Sequence, residues 1–326
     1  MTWLITGGAG YIGAHVVRDL LDAGEQAIVL DDLSTGSRDV VPEDAGFVQG
    51  SVLDAALLDR VFREHRIAGV IHIAGKKRVE ESVARPLYYY RENVDGLRTL
   101  LDAMVAAGVR RLVFSSSAAV YGMPDVDLVH EDTPCAPINP YGESKLVGEW
   151  LIRAAAEAHG IAYASLRYFN VAGAARPELA DRGAFNLIPM VFDRIGEGLP
   201  PRIFGTDYAT PDGTCVRDFI HVQDLAAAHI AAARRLAADP EARLTLNVGR
   251  GEGTSVRAMV DLIAEVTGTA GLGVETAARR PGDPARVVAA SARIERELGF
   301  TARFDVRAMV ESAWAGRLAR VGAVGR

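Results

Sequence analysis

The sequence predicts an α/β protein: a doubly wound parallel sheet followed by a smaller C-terminal α/β part suited to holding a substrate. Three observations carry that expectation. Strand-like and helix-like segments alternate through residues 1–168, a glycine-rich turn joins the first strand to the first helix, and the alternation weakens afterwards, where glycine- and proline-rich loops occupy 173–184 and 198–217. Alternation of this kind implies parallel strands linked by helical crossovers. A chain of 326 residues is long enough for such a domain and a second, smaller one.

The first element is the strand Trp3–Thr6, followed at once by Gly7-Gly8-Ala9-Gly10-Tyr11-Ile12-Gly13. The glycines read both as G-x-G-x-x-G (Gly8, Gly10, Gly13) and as G-x-x-G-x-x-G (Gly7, Gly10, Gly13). Glycines let the backbone turn sharply and approach a pyrophosphate, whose charge meets the unpaired N–H groups and positive dipole end of the next helix. Ile12, Val16, Val17, Leu20 and Leu21 recur at helical spacing, Gly24 stands where a C-cap belongs, and a second strand, Ala27–Leu30, follows. It ends in Asp31, 18 residues after Gly13, near where the ribose-binding acid of a dinucleotide site is expected. A carboxylate there accepts hydrogen bonds from ribose hydroxyls and repels a 2′-phosphate, which argues for NAD over NADP. A Rossmann-type NAD domain over 1–168 is therefore expected; an ordinary βαβ turn is the other reading of the glycines alone.

Further along come the strand Gly46–Gln49, a helix near 54–65, the strand Gly69–Ala74, a helix near 92–107 ending at Gly108, and the strand Arg111–Ser116. A proline-rich loop, Pro124–Pro140, precedes a helix whose start is written by Asn139 as N-cap and Pro140 in its first turn. Ile161–Tyr168 reads as a sixth strand. Residues 169–326 are expected mainly to bind the substrate, with 216–238 (the strand Val216–Val222 and the alanine-rich helix behind it) returning to the first domain.

Tyr141-Gly142-Glu143-Ser144-Lys145 is a Tyr-x-x-x-Lys on a predicted helix, a spacing that puts phenol and ammonium on one face. A free tyrosine, with a pKa of about 10, is a poor base near neutrality. One positive charge at ~4 Å with an effective dielectric of ~20 favours phenolate by ~4 kcal/mol. That is roughly three pKa units, placing the phenol at about 7, where acid–base work is efficient. The pattern occurs often by chance, and alone the pair reads more readily as a solvated helix face. Placed after a dinucleotide half, with Ser115-Ser116-Ser117 ending the preceding strand, it reads as a catalytic constellation in which Ser117 bonds the reacting hydroxyl.

Composition narrows the alternatives. At 49% hydrophobic and 24% charged residues the chain reads as an ordinary globular protein. A formal net charge of −6 without a basic block argues against nucleic acid as a partner. No apolar run approaches a membrane span and the first strand begins at residue 3, so no membrane partner, no signal peptide and a cytoplasmic location are expected. Cys135 and Cys215 lack metal or redox spacing and read as free thiols. The seven histidines are scattered, His72 reads as a strand histidine satisfied by neighbours, and no metal site is expected.

With these residues in view, the sequence resembles the extended short-chain dehydrogenase/reductase superfamily and, within it, the UDP-glucose (UDP-galactose) 4-epimerase family. The matching stretches run in order along nearly the whole chain: Thr6–Gly13, Leu30–Ser34, Val70–Lys77, Glu81–Val83, Tyr89–Gly96, Phe114–Gly122, Pro140–Lys145, Leu166–Asn170, Asn186–Pro189, Ile203–Tyr208, Asp212–Val222 and Arg280–Asp283. The resemblance implies that Ser117, Tyr141 and Lys145 form a catalytic triad. It implies an NAD pocket of Gly7, Gly10, Tyr11, Ile12, Gly13, Asp31, Asp32, Ser34, Ser51, Val52, Ile73, Ala74, Gly75, Lys77, Asn93, Ser115 and Tyr168, with Tyr141 and Lys145 at its reactive end. For the UDP-sugar it implies Asn170, Asn186 and Leu187 around the nucleotide sugar, Ile203 and Phe204 at the uracil, Arg217 and Arg280 on the diphosphate, and Asp283 and Val287 beside the sugar, with Lys77, Ser117 and Tyr141 shared. One departure stands out: the family usually shows Gly-Asp-Ile/Val near the adenine, and this chain has Gly50-Ser51-Val52.

The activity implied is epimerisation at carbon 4 of UDP-glucose and UDP-galactose by transient oxidation, with UDP-GlcNAc and UDP-GalNAc as further substrates if Val287 leaves room for an N-acetyl group. A UDP-glucuronate 4-epimerase is a near alternative, against which the longer segment Thr206–Thr214 argues. A nucleotide-sugar dehydratase or decarboxylase needs acids where this chain has Ala118 and Ala119, and a non-enzymatic NAD sensor needs neither Tyr141 nor Lys145. The resemblance also suggests a homodimer in which the helices near 92–107 and 141–158 pair through Leu97, Leu100, Leu101, Met104, Leu146, Val147, Trp150 and Leu151. The alternative is that each helix packs on its own sheet.

Overall fold

The computed structural model describes residues 1–183, 186–280 and 282–324; Pro281, inside the Arg280–Asp283 stretch, lies outside them. In chain order the first half comprises β1 (Thr2–Thr6), α1 (Tyr11–Asp22), β2 (Gln26–Asp31), β3 (Gly46–Gln49), α2 (Ala55–Glu64), β4 (Ile67–His72), α3 (Val79–Ala84), α4 (Pro86–Tyr90), α5 (Gly96–Ala106), β5 (Arg111–Ser117), α6 (Pro140–His159) and β6 (Ala162–Tyr168). The second half adds β7 (Asn170–Ala172), α7 (Leu187–Gly196), β8 (Arg202–Phe204), β9 (Val216–His221), α8 (Val222–Ala238), β10 (Arg243–Val248) and β11 (Gly253–Ser255). It closes with α9 (Val256–Thr267), β12 (Glu275–Ala277), β13 (Arg286–Val287), α10 (Ala292–Leu298) and α11 (Val306–Val324).

Seven parallel strands in the order β10-β6-β5-β4-β1-β2-β3 form the larger sheet. The strand order reverses beside β1, so a crevice opens at the carboxyl ends of β1 and β4, where such sheets bind ligands. Helices cover both faces because the strands are apolar on both. Val16, Val17 and Leu20 of α1 and Leu225, Ile230 and Leu236 of α8 bury one face; Leu58 and Val61 of α2, Leu97, Leu100 and Met104 of α5, and Ile152 of α6 bury the other. Among the described residues no helix is long and apolar enough to cross a membrane.

The second half is built on two smaller sheets, one in which β9 pairs with β7, β11 and β13, and one made of β8 and β12. Their core joins Ile188 and Phe192 of α7, Ile203, Phe219, Met259 and Ile263 of α9, and Met309 and Val310 of α11. Within 216–238 the two elements part company. Helix α8 packs against α1, whereas β9 pairs in the smaller sheet, so this strand does not re-enter the larger one. The strand that does is β10, which the sequence reading passed over; Arg243–Val248 docks in register on Tyr163–Tyr168. The apolar stripe expected to pair two copies is largely spent inside the chain. Leu97, Leu100, Leu101, Met104 and Leu146 are all buried, and of the named residues Trp150 stays open, at 51% exposure.

Candidate active site

The glycine turn is shaped by close approach. Gly7 has a φ of +74°, and a Cβ there would stand 2.7 Å from the Ala74 nitrogen, so β1 and β4 meet too tightly for a side chain. A Cβ on Gly13 would stand 2.1 Å from the Gly7 carbonyl oxygen, which lets α1 descend directly onto the turn. Gly10 is the N-cap of α1 and no side chain caps it, so the first-turn N–H groups stay available to an anion. Gly10–Ala14 line a cleft of about 410 Å³.

The same cleft is lined by Asp31, Asp32, Ser34, Ser51, Val52, Ile73, Ala74, Gly75, Lys77, Tyr141, Lys145 and Tyr168. The structure thus brings the turn, the acid and the tyrosine–lysine pair to one crevice. Asp31 is buried; its carboxylate accepts hydrogen bonds from Ala9 N at 3.0 Å and Leu33 N at 2.9 Å. Burial pushes its pKa up while these two N–H groups oppose the rise. Leu33 takes a φ of +59°, an uncommon conformation for a non-glycine residue, and its N–H reaches Asp31 from it. Burial works against the charge of Asp32, yet its bonds from Ser34 and the Lys76 ammonium bring its pKa down. Lys76, which the sequence reading missed, donates to Ser34 Oγ at 2.7 Å.

Asn93 and Ser115 do not line the cleft; they stand behind it. Asn93 sits in a π-helical turn, Arg91–Asp95, ahead of α5. Its Oδ1 accepts from Lys76 N at 2.7 Å, and its Nδ2 donates to Lys76 O at 3.0 Å and Ser144 Oγ at 2.9 Å, so it clamps the Gly75–Lys77 loop. Leu179–Gly183 close the far side, also unforeseen. Arg182 forks onto Asp39 at 2.8 Å, and the Arg182 bonds hold the Asp39 carboxyl down at about 2.

Helix α6 begins as read: Asn139 Oδ1 accepts from Gly142 N at 2.9 Å and Pro140 opens the first turn. Tyr141 and Lys145 are both buried. Burial pushes the pKa of the Tyr141 phenol up, and the Ser117 hydroxyl at the end of β5 opposes the rise. The expected fall to about 7 is therefore corrected: burial holds the phenol above its ordinary value. Lys145 is not spent on the phenol: its Nζ donates to the Ser115 carbonyl at 2.9 Å, and burial takes its pKa from 10.5 to about 8. Burial likewise pushes Tyr168 up, against the Ser115 hydroxyl.

The nine residues named for the sugar nucleotide lie on the second half and do not line the dinucleotide cleft. Asn170 Nδ2 donates to Asp218 O at 3.1 Å, and Asn186 Nδ2 to Asp181 Oδ2 at 2.9 Å, with Leu187 opening α7 beside it. Arg280 stacks on Phe204 with its guanidinium carbon 4.0 Å from the ring centroid, and Arg217 pairs with Asp283. Val287 is opposite Arg217 in the strand register and packs with Val120, Leu146 and Phe169. Ile203 is corrected as a side-chain contact: it is fully buried in the core of the second half, because β8 alternates and residue 203 faces inward.

Known proteins resemble this chain along nearly its whole length. UDP-glucose 4-epimerase of Azospirillum brasilense is 48% identical over 306 residues, which span 93% of this chain and 87% of that one. A crystal structure of UDP-glucose 4-epimerase from Bifidobacterium longum in complex with NAD+ and UDP superposes with a TM-score of 0.92 at 37% identity, over 98% of this chain and 99% of that one. The UDP-Glc/GlcNAc 4-epimerase of Campylobacter jejuni gives 0.86 at 35% identity, over 98% and 99%. The family profile matches residues 3–249, a span that takes in the glycine turn, Asp31, Ser117, Tyr141 and Lys145. The chain belongs to the NAD dependent epimerase/dehydratase family.

Proposed function

We propose that the chain interconverts UDP-glucose and UDP-galactose by transient oxidation at carbon 4 of the sugar, with NAD as its resident cofactor. The observation that carries this reading is that Tyr141 and Lys145 line the same cleft as the glycine turn, with the Ser117 hydroxyl lowering the pKa of the same phenol against its burial. The residues fit the cofactor: an uncapped helix start for a pyrophosphate, and an acid whose position two backbone N–H groups fix for ribose hydroxyls. Gly7, Gly10, Tyr11, Ile12 and Gly13 would hold the pyrophosphate and Asp31, Asp32 and Ser34 the adenosine ribose. Ser51 and Val52 would flank the adenine; Ile73–Gly75, Lys77, Lys145 and Tyr168 would face the nicotinamide half, with Asn93 and Ser115 behind them. When bound, NAD supplies a reversible hydride acceptor for a reaction with no net redox change.

The protein's own part is proton handling and tethering. Tyr141 takes the proton of the 4-hydroxyl and returns it, Ser117 orients that hydroxyl, and the Lys145 ammonium favours the phenolate once ligands draw it from Ser115. Arg217 and Arg280 hold the diphosphate, Arg217 exchanging Asp283 for it, while Asn170, Asn186, Leu187 and Phe204 hold the nucleoside. Residues 1–168 then serve NAD and 169–326 mainly the UDP-sugar. A cytoplasmic homodimer completes the proposal; the free thiols of Cys135 and Cys215 suit a reducing compartment. A second reading, acceptance of N-acetylated UDP-sugars, rests on the small Val287 beside Arg217.

The test is direct. Purified protein incubated with UDP-galactose and no added cofactor should yield UDP-glucose, and its denatured supernatant should contain NAD. Product formation only after NAD is added would overturn the resident-cofactor reading; no product under either condition would overturn the activity.

A further inference from the structure

Beneath the site lies a buried ion pair that the proposed chemistry does not use. Glu149 is on α6, one turn after Lys145 and two after Tyr141; Arg167 is on β6, next to Tyr168. Both are almost fully buried, at 8% and 6% exposure. Arg167 donates to Glu149 twice, Nε to Oε1 at 2.8 Å and Nη2 to Oε2 at 2.5 Å. Its remaining reach goes to the Tyr121 hydroxyl at 2.9 Å and the Glu131 carbonyl at 3.1 Å. A buried pair of this kind gains little net stability over apolar residues of the same volume, so stability alone does not account for it.

The reason is visible in a third bond that the Glu149 carboxylate accepts. Ser116 Oγ donates to Glu149 Oε1 at 2.5 Å. Along β5, Ser115 and Ser117 face one side of the sheet and Ser116 the other. Helix α6 is therefore laced to the end of β5 at two successive residues: Lys145 to the Ser115 carbonyl, and Glu149 to the Ser116 hydroxyl. The first lace must slacken when Lys145 serves a ligand. The second does not touch the cleft and stays.

We propose that Glu149, braced by Arg167, is a positioning residue that keeps Ser117 in register with Tyr141 through the Ser116 hydroxyl while Lys145 is drawn away. The inference rests on the epimerase reading given above and deepens it. Its energetic lever is alignment: a displacement of the order of 1 Å in a reacting group costs about 10²-fold in rate.

The experiment uses the full chain with its resident nucleotide. Ser116→Ala removes one hydroxyl and leaves the ion pair whole, so the fold is expected to stand. Its kcat for UDP-galactose should fall about tenfold or more, with KM within threefold, and with UDP affinity by calorimetry, retained nucleotide and thermal midpoint all close to those of wild type. Ser116→Thr, which restores a hydroxyl on the same carbon, should recover most of the rate. Glu149→Gln should fall further, to about 10²-fold; if it fails to fold, the two serine variants decide alone. A wild-type kcat in Ser116→Ala would overturn the proposal. So would a loss shared equally by kcat, UDP affinity and thermal midpoint, which marks a merely structural bond, or a threonine variant as slow as alanine. Wild type is measured beside them: if it shows no turnover the epimerase reading has failed, whereas an active wild type with indifferent variants rejects only the positioning role.

Discussion

Replacing Lys145 with methionine should make the ligand-free protein more stable while removing its activity. The ammonium is buried, and burial lowers its pKa from 10.5 to about 8, a fall of about 2.5. At ~1.4 kcal/mol for each tenfold change in the proton equilibrium, the folded protein carries ~3 kcal/mol of penalty for keeping that group charged. Methionine has a similar volume and no charge, but it forfeits the bond to the Ser115 carbonyl, a net loss of ~1 kcal/mol. The expected gain at pH 7 is then ~2 kcal/mol. Its pH dependence follows from linkage. Below about 8 the lysine is charged in both folded and unfolded chains, so wild type bears the full penalty. As pH rises from about 8 towards 10.5 the folded protein releases the proton first, wild type recovers, and the advantage of the variant fades. Urea unfolding of nucleotide-stripped wild type and Lys145→Met at pH 7 and pH 9.5, followed by tryptophan fluorescence, measures both. No gain at pH 7, or the same gain at both values, would refute the reasoning.

Other expectations are simpler to check. Tyr141→Phe should lower kcat by ~10²–10⁴-fold, with folding and bound nucleotide unchanged since one hydroxyl is lost; circular dichroism and the NAD content of denatured protein control for both. Val287→Tyr should shift the ratio of activities on UDP-glucose and UDP-GlcNAc towards the former, and by a modest factor, because apolar pockets discriminate on size by only ~1–3 kcal/mol; an unchanged ratio removes Val287 as the gate. Light scattering should give twice the chain mass of 34.8 kDa; a value at the chain mass in dilute native buffer rejects the dimer. Arg182→Ala should speed nucleotide release by about two- to fivefold at low salt, the scale of one exposed ion pair, and high salt should erase the difference.

What the sequence disclosed was local. The turn Gly7–Gly13, the acid at the end of β2 and the Asn139-Pro140 helix start are contiguous patterns whose geometry follows from backbone chemistry, and each lies where the pattern puts it. What it concealed depends on partners far along the chain. Tyr141 and Lys145 share a helix face, but spacing alone does not reveal that a strand-end carbonyl at residue 115 takes the ammonium. Helical periodicity marked Leu97, Leu100 and Met104 as one face without saying what they meet inside the chain; they join a cluster with residues of β4, β5 and α2. Strand β10 reads as a short, mixed Leu-Thr-Leu-Asn-Val run and becomes a strand because β6 offers an open edge. Glu149 and Arg167 are ordinary charges in the sequence and meet only after α6 and β6 are laid side by side.

The π turn at Arg91–Asp95 has a consequence for how this helix can vary. A regular α-helix advances ~100° per residue, so one extra residue in the turn puts the segments on either side out of phase by that amount. Before it, Tyr89 is buried and its hydroxyl donates to Glu81; after it, Leu97, Leu100 and Met104 point into the core; between them Asn93 grips the loop that ends β4. Three obligations at different azimuths are met by a single rod because its frame is shifted once. Length is thus constrained here more tightly than residue identity. Deleting Val94 would yield a more regular helix and, at the same stroke, rotate Tyr89 and Asn93 by ~100° relative to Leu97, Leu100 and Met104.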